Sequence, residues 1–327
     1  MKKAVILINK ISANPLPDEQ DVLEQAASVE KAMLRCGFSS QRVYFDLNLE
    51  IAWELLIKLK PDVVFNLVET VDGRGELIHL APTLLECLEI PFTGSASFPL
   101  YLSSHKVLAK SRFIDLNLPT PVWYYGERIS DKIPEGRYIV KPIWEDGSSG
   151  ITDNSVFHLD ASNKDQLTSI RKNRKLFLEE YIQGREFNIS IIGGDKGPLV
   201  LPPAEICFAG YPEDKPRILN YASKWDEDSF EYKNSGRRFD FISEDAILIE
   251  RLKNISLCCW KGIELSGYAR FDFRINQNNE PFLLEVNANP CLSPEAGFIA
   301  AAEKAGMDYK DVVKRILADA FARSVIN

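Results

Sequence analysis

Short strand-like runs alternate with helical patterns through residues 1–95. "KAVILIN" (3–9), "RVYFDL" (42–47) and "DVVFNLV" (62–68) are compact and rich in β-branched and aromatic side chains. Residues 18–36, 49–59 and 76–88 carry apolar side chains at helical spacing. Parallel strands need a crossover between them, so the alternation predicts an α/β fold with a parallel sheet covered by helices.

The pattern then changes. "IPFTGS" (90–95) leads into a helix, "LSSHKVLAKSRFIDLN" (102–117), with Ser103 or Ser104 available as its cap. After the break at "LPTP", strands dominate residues 121–182, in "PVWYY", "RYIVKP", "SVFHL" and "KLFLEEYI", with one helix near 162–172. Further strands, a long polar loop "KWDEDSFEYKNSGRR" (224–238), a helix at 243–262, a hairpin at 267–288 and helices near 294–304 and 308–323 complete the chain.

With 327 residues, 45% hydrophobic, the chain can bury the cores of two or three domains. A formal net charge of −8 without a long basic run argues against nucleic acid or an anionic membrane as partner. The opening "MKKAVILIN" is too short for a signal peptide and reads as a core strand. No run approaches the ~18 apolar residues of a membrane helix. Cys36, Cys87, Cys207, Cys258, Cys259 and Cys291 show no CxxC spacing, which predicts reduced thiols in a cytoplasmic protein. His79, His105 and His158 are too scattered to indicate a zinc cluster or a serine–histidine triad.

The most specific local pattern is the hairpin. Alternate strand residues share a face, so Glu285, Asn287 and Asn289 of "FLLEVNANP" (282–290) lie together, opposite Leu284 and Val286. In "YARFDFRINQNNE" (268–280), Arg270 and Asp272 lie opposite Phe271 and Phe273, and the Asn/Gln cluster is turn chemistry. A turn centred on Asn278 and Asn279 sets Asp272 across from Glu285 and Arg270 across from Asn287. A polar strand face ordinarily meets water. Two facing carboxylates repel, however, which favours a cation between them, and hard oxygen ligands suit Mg²⁺.

Two more stretches carry candidate chemistry, each open to two readings. "YIVKPIWEDGSSGI" (138–151) ends an apolar strand with Lys141 and follows it with a Gly/Ser loop. Lys141 is either an edge lysine beside an ordinary turn or, with the loop's N–H groups and hydroxyls, part of a polyphosphate site. No GxxxxGK[ST] occurs, so it is not a P-loop. "FLEEYIQGREF" (177–187) turns at Gly184 between Glu179–Glu180 and Glu186. It is either a solvated acidic turn or a set of acceptors for an adenine amino group and ribose hydroxyls.

In order, "FNLVET", "IPFTGS", Lys106, "IVKPIWEDGSSGI", "LEEYIQGREF", "NYASKW" and "ARFDFRINQNNEPFLLEVNANP" resemble the ATP-grasp superfamily, and within it the D-alanine–D-alanine ligase-like branch. The resemblance covers roughly residues 63–300; each motif is weak alone, while the ordered set is specific. It implies an ATP-grasp fold of α+β lobes, with a Rossmann-like domain at 1–96, a central lobe at 97–182 and a C-terminal lobe at 183–327. It also implies that Lys106 and Lys141 contact ATP phosphates beneath a lid made by Gly147, Ser148, Ser149 and Gly150. Glu179, Glu180 and Ile182 match the adenine pocket, Glu186 the ribose ligand, and Lys224 a phosphate-reaching lysine. Asp272, Glu285 and Asn287 match the ligands of two Mg²⁺ ions, for which Mn²⁺ can substitute. Arg270, Lys224 and Ser148 match catalytic positions, Arg270 steadying the reacting carboxyl oxygens. The implied reaction joins a small-molecule carboxylate to an amine through an acylphosphate, with a homodimer as the candidate assembly.

The chain departs from true D-alanine–D-alanine ligases at the substrate positions. "NKISANPLPDEQ" (9–20) lacks their glycine-rich, Glu-containing signature, His105 replaces an Asp, and Trp225 replaces a Tyr. "PCLS" (290–293) stands for Pro-Gly-Met-Thr, and Ala296 for a carboxylate-holding serine. The reading this supports is an ATP-dependent carboxylate–amine ligase acting on an amino acid or small peptide. A genuine D-alanine–D-alanine ligase and a non-catalytic nucleotide-binding protein are the alternatives.

Overall fold

The computed structural model describes residues 1–12, 15, 17–145 and 147–324. Its N-terminal sheet is parallel, in the order β2-β1-β3, with β1 (Lys2–Asn9), α1 (Pro17–Arg35), β2 (Phe38–Phe45), α2 (Leu49–Leu59), β3 (Val63–Asn66) and α3 (Leu80–Cys87) alternating along the chain. Ile6 and Ile8 of β1 pack with Val22 and Val29 of α1. Val5 and Leu7 pack on the other side with Ala52 and Leu56 of α2. Burial on both faces explains the unbroken apolar run of β1. β2 begins at Phe38 rather than at residue 42, because "FSSQ" belongs to the half-exposed edge strand and lacks a core pattern.

The helix expected over 102–117 is two helices. α4 (Ser97–Ser104) and α5 (Lys106–Asp115) meet at His105, whose backbone is extended at φ −85°, ψ 94°. His105 Nδ1 accepts the Leu108 N–H at 3.2 Å and caps α5, while Ser103 and Ser104, the expected caps, are buried within α4. Histidine is outside the usual capping set, so residue type did not announce the break.

A four-stranded antiparallel sheet follows, from β4 (Trp123–Tyr124), β5 (Gly136–Pro142), β6 (Val156–Leu159) and, after α6 (Asp165–Lys172), β7 (Leu176–Glu180), in the order β4-β7-β5-β6. β5 is an interior strand, which removes the edge reading of Lys141.

The remaining elements are β8 (Arg185–Ile192), β9 (Leu199–Val200), β10 (Ala204–Phe208), α7 (Ala222–Trp225), α8 (Phe230–Asn234), β11 (Ser235–Arg238), α9 (Ala246–Gly262), β12 (Tyr268–Ile275), β13 (Pro281–Asn287), α10 (Gly297–Lys304) and α11 (Tyr309–Ser324). Their sheet runs β11-β10-β8-β12-β13, with β9 beside β8. The polar stretch 224–238 is thus not all loop: it holds most of α7's end, α8 and an exposed edge strand, whose charge suits an edge. One face of the sheet packs Phe187, Ile189, Phe271 and Phe273 against Leu248, Leu252, Ile255 and Cys259 of α9. α10 and α11 return to the N-terminal sheet, where Phe298, Ile299, Val313 and Ile316 share a core with Ile6 and Val29.

The hairpin keeps the expected register by an unexpected route. Asp272 pairs with Glu285 and Arg270 with Asn287, but Ile275 pairs with Pro281 rather than Phe282. The turn runs from Asn276 to Glu280, closed by a 3.0 Å hydrogen bond from Asn276 N–H to the Glu280 carbonyl. A bulge beyond Asp272–Glu285 leaves Leu284 unopposed and absorbs the difference. Among the described residues no helix is long and apolar enough to cross a membrane.

Candidate active site

Directly paired strand residues share a face, and the pairings connect one polar surface across the sheet. Asn188 pairs with Asp272 and Asp272 with Glu285; Ser190 pairs with Arg270 and Arg270 with Asn287; Glu186 pairs with Arg274 and with Ile206. The expected residues Glu186, Arg270, Asp272, Glu285 and Asn287 therefore stand together, opposite the α9 core. Asn289 does not join them: it accepts from Tyr268 Oη at 2.7 Å and donates to the Val68 carbonyl at 2.9 Å, tying the hairpin to the N-terminal part.

Cations reach this surface from neighbouring elements. Lys106, the first residue of α5, donates to the Glu145 carbonyl at 2.7 Å and lies 3.6 Å from Glu285. Burial alone raises the Glu285 carboxyl, but the charges of Lys106, Lys141, Lys224 and Arg270 overcome it and hold it at about 2. The half-buried Lys224 ammonium is depressed first by desolvation and then by Arg270. Arg270 donates through Nε and Nη2 to the two oxygens of Asp272, both at 2.8 Å, and Asn188 donates to Asp272 Oδ1 at 2.8 Å.

This donor set can be weighed against the Mg²⁺ that the motif resemblance implies. Among the described residues no group of three or more His, Cys, Asp or Glu side chains could hold a metal alone. Asp272 and Glu285 do face each other across the ladder with Asn287 beside them. One or two carboxylates completed by phosphate oxygens and water is the usual protein share of an Mg²⁺–nucleotide site, so the residues fit.

A buried residue missed in the sequence stands behind Lys141. Glu179 receives Lys141 at 3.3 Å and Lys110 at 3.2 Å, and Lys110 also donates to Thr120 Oγ1 at 3.0 Å. Desolvation depresses the Lys110 ammonium to about 8, against the pull of Glu179. Its signal was its spacing, one helical turn beyond Lys106 on the same face of α5. Glu180 does not join Glu179: adjacent in the strand, it lies on the opposite face and is exposed, while Ile182 is buried.

The turn into β8 is made by Gly184, at φ +150°, where a Cβ would fall 1.9 Å from the Ile275 carbonyl oxygen. Glu186 beyond it pairs with Arg274 at 2.8 Å. Arg274, which sequence reasoning passed over, also donates to the carbonyls of Gly184 and Arg217 and lies over the Tyr181 ring. Burial raises the Glu186 carboxyl and Arg274 draws it back.

Of the expected lid, Asp146 lies outside the described residues. Gly147, Ser148 and Gly150 adopt left-handed conformations, at φ +65°, +66° and +74°, and Ser149 is half-buried between them. A tight turn of this kind leaves backbone N–H groups open to an anion. Ser148 Oγ donates to the Leu219 carbonyl at 2.6 Å and Trp225 Nε1 to the Gly147 carbonyl at 3.4 Å, so the loop rests on the segment that carries Lys224.

The far end of the surface meets α1. Cys291 Sγ donates to Asp21 at 2.9 Å, Ser293 Oγ donates to Asp21 at 2.6 Å, and Gln25 donates to Glu69 at 2.8 Å. Desolvation, then Glu69 and Asp21, push the Cys291 thiol up, so it is not poised as a nucleophile. Glu69 belongs to the "FNLVET" motif, while Asp21 carried no recognisable sequence signal.

The sequence matches the family D-ala D-ala ligase C-terminus over residues 136–318. An uncharacterized protein of Sinorhizobium fredii is 28% identical over 301 residues, covering 89% of this chain and 86% of that protein. A D-alanine–D-alanine ligase of Aquifex aeolicus is 29% identical over 300 residues, covering 90% of this chain and 94% of that enzyme. The crystal structure of D-alanine–D-alanine ligase from Bacillus anthracis complexed with ATP superposes with a TM-score of 0.74 at 18% identity, covering 100% of this chain and 99% of that one. The family match spans more than half of the sequence and the superposition spans all of it: the chain belongs to the D-ala D-ala ligase C-terminus family and has the ATP-grasp fold.

Proposed function

We propose that the protein is an ATP-dependent carbon–nitrogen ligase that joins a small carboxylate to an amine, releasing ADP and phosphate. The observation that carries this reading is the gathering of cations beside the facing Asp272–Glu285 pair: Lys106 lies 3.6 Å from Glu285, Arg270 pairs with Asp272 at 2.8 Å, and the charges of Lys141 and Lys224 also act on Glu285. Cations and facing carboxylates together match a polyphosphate with its metal and reacting oxygens.

A carboxylate is a poor electrophile. The γ-phosphoryl group passes to a carboxylate oxygen of the donor, giving an acylphosphate and ADP. The amine nitrogen then attacks the carbonyl carbon, the carbon–oxygen bond to phosphate breaks, and the amine proton is lost. Lys106 and Lys141 bind the phosphates, with the loop 147–150 excluding water above them. Glu179 and Ile182 flank the base, and Glu186, held by Arg274, receives the ribose. Arg270 and Lys224 stabilise the negative oxygens as the tetrahedral centre forms. Asp272, Glu285 and Asn287 would hold Mg²⁺, which supplies charge neutralisation at the phosphates when bound. The three sheets support divisions near residues 96 and 182, and the ATP requirement supports a cytoplasmic location.

Ala296, Cys291 and Trp225 at the substrate positions favour an amino acid or peptide-like amine other than D-alanine. The names of the relatives favour D-alanine as the second reading. The test is steady-state phosphate release from ATP across a panel of L- and D-amino acids and dipeptides. Turnover with an amino-acid pair supports the ligase. Tight ATP binding without turnover on any pair leaves a nucleotide-binding protein instead.

A further inference from the structure

We infer that Lys110 is the resident counter-ion of Glu179, a positioning residue whose fixed charge frees Lys141 to leave that carboxylate for the phosphates of ATP. The inference rests on the ligase reading, in which Lys141 binds phosphate, and adds to it a residue that touches no substrate.

Two ammonium groups share Glu179, and they differ in what else holds them. Lys110 Nζ lies 3.2 Å from Glu179 Oε2, and both side chains are 1% exposed. Lys110 also donates to Thr120 Oγ1 at 3.0 Å, and Thr120 donates in turn to the Leu283 carbonyl of β13 at 2.8 Å. Its place is thus fixed between α5, β7 and the hairpin, and its burial keeps it from a ligand in the cleft.

Lys141 is held more loosely. Glu179 pairs with Ile139, two residues before Lys141, so strand alternation sets Lys141 and Glu179 on one face. Lys141 Nζ lies 3.3 and 3.4 Å from the two carboxylate oxygens, long for a charge-assisted hydrogen bond. Its side chain is 13% exposed, so of the two lysines it is the one with access to the cleft.

Two ammonium groups on one buried carboxylate leave an excess positive charge. Burial depresses the Lys110 ammonium most, and the Lys141 charge depresses it further. When Lys141 turns to a phosphate, that repulsion is relieved and a neutral Lys110–Glu179 pair remains behind. Without Lys110, the same movement would strand a buried carboxylate, and an uncompensated buried charge is strongly unfavourable. Glu179 would then keep Lys141 from the nucleotide.

The experiment is a double-mutant cycle on nucleotide binding. Calorimetry with Mg²⁺ and a non-hydrolysable ATP analogue gives Kd for wild type, K110M, E179Q, K110M/E179Q and K110R. K110M should weaken binding about tenfold to hundredfold, the worth of a hydrogen bond to a charged group. In the E179Q background the same substitution should change the affinity little, since no carboxylate remains to detain Lys141. K110R, which keeps the charge, should restore most of the loss. K110Q, whose amide still donates to Thr120, is measured beside K110M so that loss of the fold in one variant does not decide the test. Wild-type affinity in K110M or K110Q, or an equal loss with and without Glu179, overturns the inference while leaving the ligase standing. No binding of the analogue by wild type overturns both.

Discussion

Lys110 Nζ lies 3.2 Å from Glu179 Oε2, and both side chains are only 1% exposed. Breaking a buried pair leaves an uncompensated charge, so Lys110→Met should lower stability by about 3–5 kcal/mol, toward the smaller figure because Lys141 still faces Glu179. The ammonium titrates at about 8 in the folded protein against its ordinary 10.5. Between those values the unfolded chain binds more protons at this group, so the Lys110 contribution to stability should rise with pH across this window, against the opposite trend of the buried thiols and phenols. Urea unfolding at several pH values tests both points: the advantage of wild type over the variant should grow with pH across this window.

The Asp272–Glu285 pairing was legible because strand parity and turn chemistry are local, and the bulge at Leu284 offset the longer turn. What stayed hidden was the non-local charge balance. Lys110, Asn188 and Arg274 look like ordinary polar residues in sequence. Their partners Glu179, Asp272 and Glu186 arrive from other elements, or from strands brought alongside by the sheet. His105 hid the break between α4 and α5 for a different reason: a ring nitrogen replaced the usual capping oxygen. Glu180 ends its strand exposed, on the face opposite the buried Glu179.

Glu285→Gln should abolish ATP turnover while the fold survives, since a neutral amide replaces a charged ligand. Facing carboxylates alone predict that this variant melts higher. The surrounding cations reverse that sign, because they hold the Glu285 carboxyl at about 2 against an ordinary 4.5. A depressed carboxylate contributes stability above 4.5 that is lost as pH falls toward 2. The nucleotide-free variant should therefore melt lower than wild type at neutral pH, with the gap closing in acid. A higher melting temperature for the variant would show that repulsion by Asp272 dominates.

The loop at 147–150 is held by few contacts, chiefly those from Ser148 to the Leu219 carbonyl and from Trp225 to the Gly147 carbonyl. Glycines and small polar residues give it little packing, so its amides should exchange rapidly without nucleotide and slow when a non-hydrolysable ATP analogue binds. Trp225→Phe removes the indole donor and should speed exchange in the free protein. Equal protection with and without the analogue would mean that this loop does not cover phosphates.

Ala296 caps α10 without a side-chain hydrogen bond, beside the Arg237 guanidinium that reaches Glu295. If it stands where a carboxylate-holding serine would, D-alanine as acceptor lacks one hydrogen bond to its charged group. Such a bond is worth about 1.5–3 kcal/mol, so Ala296→Ser should raise kcat/KM for D-alanine roughly tenfold to hundredfold. The gain should appear in the acceptor KM. Steady-state phosphate release with D-alanine alone, before and after the substitution, decides the matter. A wild-type kcat/KM for D-alanine above that of every other amino acid would instead make D-alanine the natural substrate.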